Sequence, residues 1–316
     1  MNFPRLHHTL RQFVKVAILL IVTSPPTCMS NVEAAFHHVF TGTGALEVQL
    51  IAAKLALKSG DTCSIIGPSD SNHIKKCIAL MYGEEAGRNY DDEVETEQNV
   101  YENSGMPKFV SDGDAIGQAL ATADGIIIVC EEKGVDDNFV DTLLSNTPNI
   151  KHLALLSRHG GKFKSMEDSI RKKCEELSAP SGNDVAFSIL RAGNLVGGGP
   201  GGDVEKQGGE EWGLSKYFYD TKYDLSDAMI TMSMDKFTLG ARVTPGDPFK
   251  GPNFFSKMMS NSSFEPRDGD TGRTAAAHAL LAAVRRAGDG VDVSISTEKS
   301  DKPPSSEEWD VLLERQ

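Results

Sequence analysis

The chain has 316 residues, 39% of them hydrophobic, which suits one large α/β domain with a small appendage. Its formal net charge of -13 disfavours a nucleic-acid role, because neutralising phosphates needs a concentrated basic face. Cys28, Cys63, Cys77, Cys130 and Cys174 form no C-x-x-C pair and no zinc spacing, so neither a metal centre nor a disulfide framework is expected.

In chain order, Arg5, Arg11 and Lys15 precede the apolar run Val16 to Val22, and Pro25 and Pro26 follow it. This layout predicts a signal or targeting segment over residues 1–36, with an apolar core too short to span a membrane. The junction Glu33-Ala34-Ala35-Phe36 resembles the plastid-targeting signals of algae with secondary plastids. Delivery to a plastid or another endomembrane-served compartment is the expectation. A plain N-terminal extension on a cytoplasmic protein is the alternative.

Val39-Phe40 then runs into Thr41-Gly42-Thr43-Gly44-Ala45-Leu46, a helix-like stretch follows to Gly60, and Thr62 to Ile66 is apolar again. Strand, glycine turn, helix and strand make the opening βαβ unit of a nucleotide-binding fold. Residues 41–46 are the expected pyrophosphate cradle, with the helix N-terminus behind them. The turn is incomplete in either register: Glu47 stands at the third glycine of G-x-G-x-x-G, and Ala45 and Val48 replace glycines of G-x-x-G-x-x-G. A βα turn that binds nothing is the alternative. No acid follows Ile66 directly to select NAD, whereas Lys75 and Lys76 would suit a 2'-phosphate, so NADP is the expected dinucleotide. Two solvated lysines are the competing reading.

Residues 84–102 carry eight acids and read as a solvated loop. Phe109-Val110 is a short third strand, and a helix runs through Ile116 to Leu120. Ile126 to Cys130 is a buried parallel strand ending in Glu131-Glu132. Carboxylates there oppose a pyrophosphate unless they are turned away or paired. A fifth strand, Ile150 to Leu156, ends in Ser157-Arg158-His159, residues 163–178 read as helix, and a sixth strand, Val185 to Leu190, ends in Arg191-Ala192-Gly193. A glycine-rich loop follows from Gly197 to Gly209. Trp212, Tyr217, Phe218 and Tyr219 form an aromatic cluster, Ala275–Arg286 reads as helix, Val291 to Ser296 alternates as a strand, and Ser305-Ser306 opens a terminal helix.

These features resemble the atypical, or extended, branch of the short-chain dehydrogenase/reductase superfamily, most closely its members related to the nitrogen-metabolite repressor (NmrA-like). The carrying residues are Thr41 to Val48, Gly113-Asp114, Ser157, and Leu190-Arg191-Ala192-Gly193, with Thr271 to Ala276 a fainter match. The resemblance covers residues 37–200 well and 201–316 weakly. It implies a doubly wound, mostly parallel Rossmann-type α/β sheet, an NAD(P)-binding domain over 37–200, and a C-terminal substrate-side subdomain with a terminal helix over 201–316. It also implies cofactor contacts by residues 41–46 and Arg191.

The chain departs from the family at the catalytic dyad. The helix after Ser157 holds no tyrosine, and Tyr217, Tyr219 and Tyr223 have no lysine four residues on. Ser157 and His159 are the remaining catalytic candidates. Two functions stay open: an NADP-dependent oxidoreductase of unknown substrate, taking a dinucleotide and a small molecule, or a non-catalytic dinucleotide sensor, assembly factor or structural subunit of an organelle complex, with or without a bound cofactor.

Overall fold

A computed structural model describes residues 35–90, 106–181, 184–198, 212–248, 269–286 and 288–314. Almost all of the expected targeting segment, most of the acidic stretch and most of the glycine-rich loop lie outside the described residues. The part of the acidic stretch that is described is not loop: Glu84–Asn89 forms a short helix in which Arg88 pairs with Glu84.

Ten strands are described: β1 (His37–Gly42), β2 (Thr62–Ile66), β3 (Lys108–Val110), β4 (Gly125–Val129), β5 (His152–Arg158), β6 (Ala186–Ala192), β7 (Leu195–Val196), β8 (Gly240–Pro245), β9 (Thr271–Gly272) and β10 (Asp292–Glu298). The described helices are α1 (Leu46–Lys58), α2 (Ser71–Tyr82), α3 (Glu84–Asn89), α4 (Gly113–Ala121), α5 (Asp137–Ser145), α6 (Lys164–Ser181), α7 (Lys216–Lys222), α8 (Leu225–Asp235), α9 (Arg273–Arg285) and α10 (Ser306–Glu314).

Eight strands form one sheet in the order β3-β2-β1-β4-β5-β6-β10-β8. Its first six strands are parallel and carry the doubly wound dinucleotide-fold order. β10 runs parallel to β6, and β8 closes the edge antiparallel to β10. The C-terminal third therefore gives two strands to the main sheet, while β7 and β9 pair separately.

Alternation along each strand builds the two faces. Val39, Ile126, Ile128, Leu153, Leu155 and Ile189 pack under α4, α5 and α6. Phe40, Ile65, Ile127, Val129, Leu156 and Leu190 pack under α1 and α9. Both sides are covered, so the strands read as continuous apolar runs. Fully burying a side chain such as Ile127 or Phe40 contributes about 1.5–3 kcal/mol.

The helices start where short acids serve as caps. Asp70, Asp112 and Asp136 accept from the N–H of His73, Ala115 and Phe139 at 2.9, 2.8 and 2.7 Å. α5 was not among the expected elements, although Asp136 caps it and Phe139, Val140, Leu143 and Leu144 stand at helical spacing. Alanines let α1 and α9 lie against one another: Ala52, Ala53, Ala276 and Ala279 are fully buried.

Candidate functional site

The crevice of a doubly wound sheet lies beyond the carboxyl ends of its strands, where the order reverses. Here β1 and β4 meet at that point. Gly42 has φ of 146°, and a Cβ on it would lie 2.0 Å from the Val129 carbonyl oxygen. Thr43 N–H donates to that same oxygen at 3.0 Å. A Cβ on Gly44 would lie 2.9 Å from Glu131 Cβ. The β1 turn is thus packed directly onto the end of β4, and both glycines are required by that approach.

Ala45 caps α1 in the left-handed region at φ 45°, ψ 51°, and is the one non-glycine with positive φ among the described residues. Such a conformation costs an alanine roughly 1–2 kcal/mol, so its surroundings must hold it. Glu131 does so in part: its Oε2 accepts from Ala45 N–H at 3.1 Å. Thr43 Oγ1 donates to the Lys133 carbonyl, which closes the loop after β4 over the turn. The carboxylate that would have to be turned away or paired for a pyrophosphate to dock is turned in. It sits on a donor that a pyrophosphate would use. Thr41 is buried beneath the turn, and Leu46 begins α1 partly buried.

Glu47, at the place of the third glycine, faces basic groups. Lys222 Nζ pairs with its Oε1 at 3.2 Å. Burial works to raise its pKa, but its own N–H, Arg273 and Lys222 outweigh that and hold it below the usual value. Lys75 and Lys76 lie on α2, half-buried and exposed respectively. Lys76 lines a cavity of about 340 Å³ together with Leu46, Glu47, His73, Phe218 and Lys222. Neither partner was expected at Glu47: Lys222 and Arg273 lie 175 and 226 positions beyond it, Lys222 in no local motif and Arg273 only within the faint match from Thr271 to Ala276.

Ser157 and Arg191 come together, but inside the protein. Ser157 is fully buried, and its hydroxyl donates to Glu167 Oε1 at 2.5 Å. Arg191 donates through Nη2 to Glu167 Oε2 at 2.7 Å and through Nε to both carboxylate oxygens at 3.2 Å. Its Nη1 pairs with Asp292, whose other oxygen takes Arg171 at 2.7 Å. Burial opposes the Arg191 charge, yet Asp292 and Glu167 reverse that and raise its pKa. The guanidinium expected to reach a cofactor is taken up by two carboxylates, and the serine expected to reach a substrate is taken up by one of them.

His159 is half-buried, with Nε2 at 2.9 Å from the Arg191 carbonyl, so that nitrogen carries the proton and donates. Burial lowers its pKa, against the opposing pull of the Arg191 carbonyl. Beside it, Gly160 and Gly161 adopt φ of 80° and 68°, and their N–H groups converge on Asp247 Oδ2 at 2.8 and 2.9 Å. Successive N–H groups in this arrangement form an anion nest. It is filled by the chain's own aspartate.

Three strand ends thus share one feature. Donors at β1, β5 and β6 are each satisfied by an internal carboxylate: Glu131, Asp247, and Glu167 with Asp292. Of these only Glu131 stood out in the sequence. The helix after β5 offers Lys172 and Lys173, paired with Glu176 and Asp141, and no tyrosine. Tyr219 is buried on Asp235, donating at 2.5 Å, and burial together with that carboxylate drives its pKa up. Among the described residues no cluster of side chains could hold a metal ion, and no helix is long and apolar enough to cross a membrane.

The strand order and the turn define a Rossmann-type α/β protein with added C-terminal strands and helices. No protein-family model matches the chain, and no curated protein sequence matches it significantly. Solved structures that resemble it include the yeast methylglyoxal/isovaleraldehyde reductase Gre2 complexed with NADPH, at 9% identity and a TM-score of 0.45, covering 81% of this chain and 76% of that one. The UDP-glucose 4-epimerase from Brucella ovis in complex with NAD matches at 13% identity and a TM-score of 0.39, over 86% and 80% of the two chains. The reductase ChuY from Escherichia coli matches at 12% and 0.39, over 85% and 100%.

Proposed function

We propose that this chain is a non-catalytic Rossmann-fold protein, a binding or assembly subunit in which the ancestral phosphate turn is closed by the chain itself. The observation that carries this reading is the Glu131 carboxylate on Ala45 N–H, 3.1 Å away, at the helix start where a pyrophosphate would dock. The burial of Ser157 and Arg191 around Glu167 supports it, because neither is then free to handle a substrate. A place in the nitrogen-metabolite-repressor-like branch belongs to the same proposal. Delivery to a plastid or a similar compartment belongs to the same proposal, and a fluorescent fusion of residues 1–36 tests it.

The discriminating experiment is calorimetric titration of the full chain with NADPH and NADH, beside the Glu131→Gln variant. The expected result is no binding at micromolar strength by the native chain and a gain for the variant with NADPH. Micromolar NADPH binding by the native chain, with oxidation of the nucleotide by carbonyl compounds, would overturn the reading. It would instead support an NADP-dependent oxidoreductase. That second reading is favoured by one observation: Ala45 takes a left-handed conformation at the start of α1, of a kind that occurs in anion-binding turns.

A further inference from the structure

At the amino ends of the strands, opposite the crevice, the fold takes hold of the chain at one residue, Phe36. Its N–H donates to Asp61 Oδ1 at 3.2 Å, and its carbonyl accepts from Thr62 N–H at 2.9 Å. Its ring lies parallel to that of His38, with centroids 5.9 Å apart, and Lys151 Nζ stands 5.2 Å from the ring centre. Ala35, one residue earlier, is exposed.

Asp61 is placed as a counter-ion. Its side chain is 10% exposed, and Oδ2 takes His38 Nε2 at 2.9 Å and Arg285 Nε at 3.0 Å. Burial works to raise its pKa, but His38 and Arg285 outweigh that, so it is ionised at neutral pH. Among the described residues only the Phe36 N–H donates to Oδ1. The other groups here are already engaged. Lys151 pairs with Asp124 at 2.7 Å, and Asp124 also accepts from His37 N–H at 3.0 Å. The His37 ring faces the hydroxyls of Thr62 and Ser64, and burial, followed by His38, lowers its pKa.

The sequence before Phe36 ends in Ala34-Ala35, small residues of the kind that precede the cut of a signal-type endopeptidase. A cut after either alanine leaves a small residue before the bond. The fold separates the two cuts. A chain starting at Ala35 would carry its new charge on an exposed residue, whereas a chain starting at Phe36 would carry it on a nitrogen already aimed at a carboxylate.

We propose that the chain is matured by hydrolysis of the Ala35–Phe36 bond, and that the α-ammonium so formed on Phe36 seats on Asp61. Water, used by a signal-type endopeptidase, gives its hydroxyl to the Ala35 carbonyl carbon, which leaves as a carboxylate. The Phe36 nitrogen takes up protons and becomes an ammonium. An amide donor on Asp61 is thereby replaced by a charged donor on the same oxygen, which strengthens the contact. The targeting segment then ends at Ala35, and Phe36 belongs to the fold. The proposal rests on the targeting reading of that segment, and not on its destination, on Glu131 or on a dinucleotide.

The test expresses the full reading frame, with a C-terminal affinity tag, in insect cells. Product is recovered separately from the cytosol and from the secretory lumen and medium, and its N-terminus is sequenced. The lumenal product should begin at Phe36. A full-length product confined to the cytosol would overturn the targeting reading and this proposal together. A lumenal product that is uncut, or begins at Ala35 or elsewhere, would overturn this proposal alone. The α-amine of the product is then titrated by trace labelling with acetic anhydride, read by mass spectrometry of the N-terminal peptide. Its proton should be held about tenfold more tightly than on the same amine in urea, where the pKa is about 7.7–8.0. Asp61→Asn should remove most of that difference, and the comparison with urea stands without the variant. An amine that titrates alike in the folded and unfolded chains, or alike in a folded Asp61→Asn variant and the native chain, would overturn the seat on Asp61.

Discussion

Glu131 is where the closed-turn reading is most exposed to refutation. Replacing it by alanine removes the acceptor from Ala45 N–H and a negative charge from the start of α1. A hydrogen bond to a charged group contributes about 1.5–3 kcal/mol when buried, and a charge at a helix start about 0.3–1 kcal/mol when exposed. Glu131 is half-buried, so about 1–2 kcal/mol is expected. For a chain of this size that lowers Tm by roughly 2–6 °C. Glu131→Gln keeps an acceptor and should cost about half as much. The binding arm has the opposite sign. A phosphate placed on Ala45 N–H would stand about 5 Å from the carboxylate, and two like charges at that distance repel by about 3 kcal/mol at an effective dielectric of 20. Solvent on the exposed side reduces this to about 1–2 kcal/mol, a gain in NADPH affinity of about 5- to 30-fold in either variant. Thermal unfolding followed by circular dichroism and calorimetric titration measure the two arms. If Tm and NADPH affinity both match the native chain, Glu131 does not close the turn and the argument fails.

Gly42→Ala should destabilise the fold by about 3 kcal/mol or more, because its Cβ would meet the Val129 carbonyl; a urea midpoint near the native one would show that the strand ends can part. Glu167→Ala should cost about 3–5 kcal/mol by leaving the buried Arg191 short of a counter-ion, and adding Arg191→Met should recover part of it; a double variant no more stable than the single would contradict the coupling. His152 and His278 are each lowered to about 4, with burial the largest cause, against about 6.5 when unfolded. Below pH 6.5 the unfolded chain takes up protons that the folded chain refuses, so stability is full above 6.5 and falls down to about 4, by about 3 kcal/mol per histidine. Urea midpoints measured between pH 7 and pH 4.5 check this, and a flat profile would mean that the imidazoles are not buried uncharged.

Legibility followed the range of the interaction concerned. The apolar runs at Ile126 to Val129 and His152 to Leu156 announced parallel strands covered on both faces, because burial on both sides removes polar alternation within a few residues. The glycine turn at the end of β1 and the missing tyrosine-lysine pair were equally plain, since each is a matter of neighbours along one strand or one helix. The sequence also marked Val291 to Ser296 as a strand, but not its seat between β6 and β8, which makes the C-terminal third part of the main sheet.

The site was decided elsewhere. Ser157, His159, Arg191 and the turn from Thr41 to Leu46 were visible as strand ends, and strand ends are where a crevice forms. Which groups they meet was not visible. Glu131 reaches Ala45 across 86 positions, Asp247 reaches Gly160 across 87, and Asp292 reaches Arg191 across 101. Periodicity and turn chemistry act within a window of a few residues, so the sequence by itself determined the elements and their faces. The lateral order of strands sums burial over the whole chain, and only that order brought Glu131, Asp247 and Asp292 onto donors at the strand ends.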